Sequence, residues 1–289
     1  MIASYRGKAV IVTGGTAGIG LATALAFASR GAACTLTHRF GTADEGAIRE
    51  RFVALGAPEP LIVQADAARD DDTDALLAQV KERHAHVEAL ISNASNALVV
   101  RSLDDYDRRA LTRSIEGSAW PMVEYTRRIR EVFGRYPRYV VGMSSTGPDS
   151  FSSGYDFVAA SKSVMETLCR YMNYRLFDED IRINVLRSRS VKTEAFTSTF
   201  GAEFSEFARR FTREEHFLPA SEVGEAALAL CSGLMDGVSG QVVTIDRGTS
   251  FFDNLMRLYE EREELGLDER DITSVQHHLH QGAPHARSD

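Results

Sequence analysis

The chain has 289 residues and a formal net charge of -8, from 33 Lys and Arg against 41 Asp and Glu. This balance argues against a general nucleic-acid or anionic-membrane binder, because both classes use a net basic face. Hydrophobic residues make up 44% and charged residues 26%, which is typical of a globular, core-forming chain and excludes global disorder.

The N-terminus and the cysteines indicate a cytoplasmic protein. No run approaches the roughly 18 apolar residues of a membrane span, and residues 1–8 lack the long apolar region of a signal peptide. Cys34, Cys169 and Cys231 lie far apart in apolar runs, so we expect core thiols and neither a disulfide scaffold nor a metal site.

The first predicted elements are a strand and a helix. Residues 9–12 form a short apolar run that predicts a buried strand, and a helical pattern follows from Ile19 to Arg30. The alternation repeats, with further strands predicted near 33–38, 61–65, 88–92, 138–143, 181–187 and 241–245. Strands alternating with helices predict right-handed crossovers. We predict an α/β fold: a single domain with a Rossmann-type, doubly wound parallel sheet of about seven strands.

The pattern changes after Gly248, so we divide the chain into a domain over 1–250 and a C-terminal helix and tail over 251–289. An apolar stripe predicts an amphipathic helix outside the sheet, formed by Phe252, Leu255, Tyr259 and Leu265. The polar end carries four histidines: His277, His278, His280 and His285. They can bind metal, but without carboxylate or cysteine partners we expect a solvated tail and no metal site.

A glycine-rich segment, residues 13–20 with the sequence TGGTAGIG, separates the first strand from the first helix. Glycines let the backbone approach a pyrophosphate, and the helix N-terminus supplies unpaired N–H groups and a positive partial charge. A lone glycine-rich stretch is often just a turn. Its place between a buried strand and a helix at the start of an alternating chain indicates a dinucleotide site.

This loop spacing and further segments in register resemble the short-chain dehydrogenase/reductase family from about Lys8 to Ser250. The further segments are Asp66, Ser92 to Ser95, Ser144-Ser145, Ser161-Lys162, Asn184 to Thr193, Gly240-Gln241 and Asp246 to Gly248. The resemblance implies an NADP(H)-binding domain. Its cofactor residues would be Gly14, Thr16, Gly18, Ile19, Gly20, His38, Arg39, Asp66, Ala67, Asn93, Ala94, Lys162, Arg189, Val191 and Thr193.

The end of the second strand favours NADP(H) over NAD(H). Where NAD-specific members carry an acid, this chain has Thr37-His38-Arg39, and Arg39 can pair with a 2′-phosphate. The basic residue that some NADP-users place inside the glycine loop is absent, since that position is Ala17. Arg39 can equally be a solvated loop residue.

The usual catalytic tyrosine of the family is displaced. Most members carry it four residues before the lysine, where this chain has Val158, whereas Tyr155 precedes Lys162 by seven residues. Two helical turns keep both side chains on one face, about 10 Å apart along the axis. This spacing resembles the enoyl-acyl-carrier-protein reductase branch, which implies catalytic roles for Tyr155, Lys162 and Ser145. Alternatively, Tyr155 is an ordinary helix-entry aromatic and Ser145 a strand-end cap.

The resemblance therefore implies an NADPH-dependent reductase of an enoyl thioester, linked to acyl carrier protein or coenzyme A. Hydride would reach the β-carbon while Tyr155 stabilises the enolate. Two alternatives stay open. One is a ketone or alcohol oxidoreductase of specialised metabolism. The other is a non-catalytic cofactor-binding subunit, suggested by Val158 and by Ser114, which stands where many members have a relay asparagine.

The segment between Thr193 and Pro219 is rich in aromatic and basic residues, including Phe196, Phe200, Phe204, Phe207, Phe211, Phe217, Arg209, Arg210 and Arg213. In the family it covers the substrate, so it would line an acyl pocket and meet a phosphopantetheine or its carrier. Equally, it is an amphipathic helix that packs on the domain. The resemblance also implies a homotetramer or homodimer, formed through long helices near 104–134 and 155–176.

Overall fold

The computed structural model describes residues 4–41, 43–96, 98–193 and 201–267. Within them, seven strands form one parallel sheet: β1 (Ala9–Val12), β2 (Ala33–His38), β3 (Leu61–Gln64), β4 (Val87–Ser92), β5 (Tyr139–Ser145), β6 (Arg182–Ser188) and β7 (Val242–Ile245). Their order is β3-β2-β1-β4-β5-β6-β7. The chain reverses its winding direction between β1 and β4, so the sheet is doubly wound. The predicted fold class is confirmed.

Helices connect the strands and continue beyond the sheet. Those of the described residues are α1 (Gly18–Ala28), α2 (Glu45–Ala54), α3 (Asp70–Arg83), α4 (Arg108–Ser118), α5 (Trp120–Phe133), α6 (Asp156–Arg175), α7 (Ala202–Phe211), α8 (Ala220–Leu230) and α9 (Asn254–Glu260). None of these is long and apolar enough to span a bilayer.

Two helix predictions need correction. The single helix expected near 104–134 is two helices, which meet at Ala119 with Pro121 in the first turn of α5. Proline suits a first turn, where its missing N–H would have no partner, but not a helix interior. The C-terminal helix α9 ends at Glu260, short of the predicted stripe's last residue, Leu265. The four C-terminal histidines lie outside the described residues.

Apolar side chains cover both faces of the sheet. One cluster joins the sheet to α1 and α8 and includes Phe27 and Leu36, while the other joins it to α3, α5 and α6 and includes Tyr125 and Met165. The three cysteines are free and buried within these two clusters, as the sequence predicted. Central strands buried on both faces explain the continuous apolar runs in the sequence.

Helices α1 and α8 approach so closely that Gly224 has no room for a side chain. A Cβ at this position would lie 2.7 Å from the Ala22 carbonyl oxygen. We expect Gly224→Ala to destabilise the fold by about 1–3 kcal/mol through overpacking, measured as a lower midpoint of thermal unfolding.

Gly46→Ala, at an exposed position of helix α2, is the matched control, since its Cβ would meet nothing closer than 3.5 Å. This change should be neutral or stabilising by up to about 1 kcal/mol. Equal unfolding midpoints for the two variants would contradict the close approach of α1 and α8.

Candidate active site

The glycine loop is fixed by the side chains of Thr13 and Asn93. Thr13 Oγ1 accepts hydrogen bonds from the backbone N–H groups of Asn93 and Ala94, each at 3.0 Å. Asn93 Nδ2 in turn donates to the carbonyls of Thr13 and Gly14, at 3.0 and 2.9 Å. The ends of β1 and β4 are thereby joined at the switch point of the sheet, where doubly wound folds bind their ligands.

The N-terminus of α1 fits a dinucleotide pyrophosphate. The helix begins at Gly18 without a side-chain cap and without an acidic residue in its first turn, so the dipole and N–H groups at this end can meet an anion. A Cβ at Gly20 would lie 2.2 Å from the Gly14 carbonyl oxygen, which explains the glycine. Thr16 and Ile19 are half-buried in the same turn.

The loop after β6 reaches this turn from the other side. Ser190 adopts a left-handed backbone (φ 52°), and Val191 pairs with Leu218 in an isolated bridge. The Thr193 side chain then lies beside Gly18, 3.6 Å from where a Cβ of that glycine would stand. The fold therefore brings two separately predicted parts of the cofactor site together.

Arg39, at the predicted adenosine end, is engaged by neighbouring side chains. Its Nε lies 2.9 Å from Asp66 Oδ2, and its Nη1 donates to Asn96 Oδ1 at 3.1 Å. Of the other residues predicted here, His38 Nδ1 accepts from the Gly41 amide, and Ala67 is buried. Arg39 and Asp66 thus lie together at this end of the site. The sequence did not indicate that they pair with each other.

Arg189, another predicted cofactor residue, contacts the backbone at the start of the C-terminal segment. Its Nη1 donates to the Thr249 carbonyl oxygen at 2.9 Å, which ties the loop after β6 to the start of the C-terminal segment. Its role toward a cofactor stays a prediction.

The three predicted catalytic residues meet where α6 contacts the end of β5. The Tyr155 hydroxyl donates to Ser145 Oγ at 3.1 Å, and the buried Lys162 Nζ donates to the Met143 carbonyl oxygen at 2.8 Å. Tyr155 immediately precedes α6, so it is a helix-entry residue, as the alternative interpretation expected. Its hydroxyl nevertheless joins Ser145. Val158, at the usual tyrosine position, is buried.

Burial shifts the pKa of both titratable groups at this corner. It raises the pKa of Tyr155 above its ordinary value, opposed by the hydrogen bond to Ser145, so the phenol is protonated at neutral pH. Burial lowers the pKa of Lys162 to about 8, opposed by the negative charge of Glu166. At pH 7 the corner holds a neutral phenol and an ammonium group.

Two further residues shape this corner, and the sequence analysis missed both. Gly147 leaves space for the Tyr155 ring, because a Cβ there would lie 2.8 Å from two ring carbons. Glu166 is buried one turn after Lys162. Its i, i+4 spacing from the lysine was a signal that could have identified it. Gly147 offers no such signal, since glycine after a strand also suits an ordinary turn.

Ser114 lies on α4, which packs against α6. Its hydroxyl is buried and makes no hydrogen bond to the residues that the structure describes. The arrangement is compatible with the expected weaker proton relay and does not test it.

Helix α7 belongs to the aromatic segment predicted to cover the substrate. Phe204 and Phe207 are exposed on it, and Phe217 beyond it is buried, so the segment both packs on the domain and presents aromatic rings. Arg213 forms ion pairs with Glu261 and Glu264 of the C-terminal segment. Arg209 and Arg210 are exposed, whereas Phe196 and Phe200 lie outside the described residues.

Known proteins share the sequence pattern over most of the chain. Residues 14–250 match the family model described as enoyl-(acyl carrier protein) reductase. An NADH-dependent enoyl-[acyl-carrier-protein] reductase of Aquifex aeolicus is 24% identical over 84% of this chain and 91% of its own. The 3-oxoacyl-[acyl-carrier-protein] reductase MabA of Mycobacterium avium is 26% identical over 85% and 91%.

Solved structures share the fold. A 7α-hydroxysteroid dehydrogenase, complexed with NADH and 7-oxo glycochenodeoxycholic acid, covers 85% of this chain and 95% of its own with a TM-score of 0.75 at 22% identity. A short-chain dehydrogenase from Burkholderia cenocepacia in complex with NADP gives 0.73 at 21% identity, covering 85% and 99%. With the family match over residues 14–250, the chain belongs to the short-chain dehydrogenase/reductase family of oxidoreductases, in the group described by the enoyl-(acyl carrier protein) reductase model.

Proposed function

We propose that this oxidoreductase is an NADPH-dependent reductase of an enoyl thioester carried by acyl carrier protein or coenzyme A. The supporting observation is the 3.1 Å hydrogen bond between the Tyr155 hydroxyl and Ser145 Oγ, two residues along β5 from the Met143 carbonyl that binds the buried Lys162. It gives the displaced tyrosine a partner at the end of β5, although Val158 occupies the usual position. When bound, NADPH would supply the hydride to the β-carbon, and a proton from water would complete the reduction at the α-carbon.

Tyr155 acts as a hydrogen-bond donor to the thioester oxygen. Because burial keeps its phenol protonated, it can stabilise negative charge that develops on this oxygen as the double bond is reduced. Ser145 holds the phenol in place, and its hydroxyl can donate to the phenol oxygen when the phenol turns to the substrate. Gly147 contributes by leaving the ring its space.

Lys162 supplies a positive charge at this corner. With a pKa of about 8, its ammonium is charged at neutral pH, where it can hold the ribose hydroxyls. Its bond to the Met143 carbonyl fixes Nζ against the strand. The lysine would therefore orient the nucleotide without touching the acyl group.

The position of the tyrosine favours alkene over ketone reduction. A phenol two turns from the ribose-binding lysine meets a carbonyl oxygen farther from the nicotinamide than in the usual arrangement. A thioester held there brings its β-carbon to the nicotinamide in place of its carbonyl carbon. Ketone reduction is the second candidate, since the Ser145 and Tyr155 pair would also serve a ketone and the Mycobacterium relative is a 3-oxoacyl reductase.

The cofactor and partners follow from the same proposal. The Arg39 guanidinium, which pairs with Asp66 and Asn96 and lies over the Phe40 ring, would be the group that meets a 2′-phosphate at this end. The aromatic face of α7 suits an acyl chain, and Arg209 and Arg210 suit a phosphorylated carrier. Assembly into a homotetramer or homodimer would use the helical faces of α4, α5 and α6. We place the protein in the cytoplasm.

Tyr155→Phe tests the catalytic role. The variant should bind NADPH as the wild type does and reduce crotonyl-coenzyme A about 100-fold or more slowly, because it lacks the oxyanion donor. The measurement is loss of NADPH absorbance, with acetoacetyl-coenzyme A as the ketone probe.

The matched control is Tyr106→Phe, which removes a hydroxyl bonded to Asp156 Oδ1 at 2.7 Å. It should keep near-wild-type rates. Near-normal turnover by Tyr155→Phe would remove this phenol from the mechanism. Faster wild-type reduction of acetoacetyl- than crotonyl-coenzyme A would favour the ketone candidate, and tight NADPH binding without turnover of either would indicate a non-catalytic subunit.

Arg39→Leu tests the cofactor preference. Losing a charge-assisted contact to the 2′-phosphate should weaken NADPH binding by roughly 10- to 100-fold relative to NADH. Dissociation constants for both nucleotides can be followed by cofactor fluorescence.

Arg69→Leu is the control, since the Arg69 side chain is 64% exposed and its Nε lies 3.7 Å from Asp72 Oδ1. It should leave the ratio of the two affinities unchanged. The same ratio in Arg39→Leu as in the wild type would contradict a phosphate-binding role for Arg39.

A further inference from the structure

Glu166 is a buried carboxylate that the proposed chemistry does not yet explain. It lies on α6 one turn after Lys162, so both side chains project from one face of the helix. The Glu166 side chain is only 6% exposed. Removing a carboxylate from water is costly unless charged or hydrogen-bonding partners replace the water, so its partners indicate its role.

The partners of Glu166 come from two adjacent strands. Ser144 Oγ donates to its Oε1 at 2.7 Å. Arg187 donates to both carboxylate oxygens, from Nε to Oε1 at 3.1 Å and from Nη2 to Oε2 at 2.6 Å. Ser144 of β5 and Arg187 of β6 are partners in the sheet register. The carboxylate therefore links α6 to the ends of both strands.

Three consecutive residues of β5 make hydrogen bonds to side chains of α6 or of Tyr155, which precedes it. Met143 accepts from Lys162, Ser144 donates to Glu166, and Ser145 accepts from Tyr155. Because all three bonds join the same strand end to one helix region, a change in the middle bond would be expected to move the lysine and the tyrosine together. The Glu166 link is thus placed to control the register of the other two.

We propose that Glu166 is a positioning residue that, with Arg187 as its counter-ion, holds the Lys162 face of α6 in register with the ends of β5 and β6. The inference rests on the proposed role of Lys162 in holding the nucleotide. It extends the site to residues that touch neither cofactor nor substrate.

The electrostatic part concerns the field at Lys162. Burial lowers the lysine pKa, and the Glu166 carboxylate opposes this shift. Arg187 and Asp149 lie behind the carboxylate as an ion pair, and Tyr155 is neutral. Strand β5 contributes no charged residue. The charged residues of α4, which packs on α6, are exposed: Arg108, Arg109, Arg113 and Glu116.

The pH dependence of nucleotide affinity measures this effect without requiring turnover. In the wild type, the affinities for NADPH and NADH should both fall as the pH rises through about 8, because Lys162 loses its proton there. In E166Q the fall should begin about one pH unit lower, since the amide no longer favours the ammonium. E166D keeps the charge and should restore most of the wild-type profile.

The controls separate charge from folding. E82Q removes an exposed carboxylate of α3 and should leave the profile unchanged. E166Q leaves Arg187 buried against an amide, which can prevent folding, so the paired variant E166Q/R187Q is measured as well and should shift the profile in the same direction. Thermal unfolding reports whether each variant is folded.

A wild-type profile in a folded E166Q or E166Q/R187Q protein would overturn the proposal. So would a wild-type affinity that does not change between pH 7 and 9.5, or failure of both variants to fold while E82Q folds. Absence of thioester reduction with the predicted shift in affinity would leave Glu166 in its role and refute the enoyl reductase function alone.

Discussion

The candidate site depends on the contact between helix α6 and the carboxyl end of strand β5. The strand is buried on both faces and held in register by β4 and β6, so its end is a rigid reference. The helix presents its polar groups to that end, through Lys162, Glu166 and the preceding Tyr155. Burial makes each of these contacts strong, because water cannot replace a lost partner there.

The cofactor loop is tied to the same edge of the sheet by a second set of polar contacts. Thr13 and Asn93 join β1 to β4, and β4 pairs directly with β5. The glycine turn, the loop after β6 and the predicted catalytic corner are therefore parts of one edge. A dinucleotide lying along this edge would extend from Arg39 at the adenosine end toward Tyr155. Doubly wound sheets generally bind their ligands at such a switch point.

Much of this arrangement could be predicted because it follows from local patterns. Apolar runs marked the seven strands to within two residues, and the glycine spacing identified the loop. Features that depend on residues far apart in the sequence were harder to predict. The helical pattern near 104–134 looked continuous in the sequence, although Pro121 divides it. Arg39 is paired with Asp66 in a contact that no local spacing reveals. The spacing of Glu166 from Lys162 was a local signal, but its pairing with Arg187, 21 residues away on another strand, could not be predicted. Gly147 was missed because its reason is the volume of another side chain.

In the proposed function, the Tyr155 corner directs hydride to the β-carbon of an enoyl thioester. The most direct test uses NADPH with deuterium at both C4 positions, reacted with crotonyl-coenzyme A and, separately, with acetoacetyl-coenzyme A. NMR of the products locates the label. We expect deuterium on the β-carbon of a saturated butyryl thioester. Label found on the carbinol carbon of a hydroxybutyryl product, with crotonyl-coenzyme A unreduced, would contradict it.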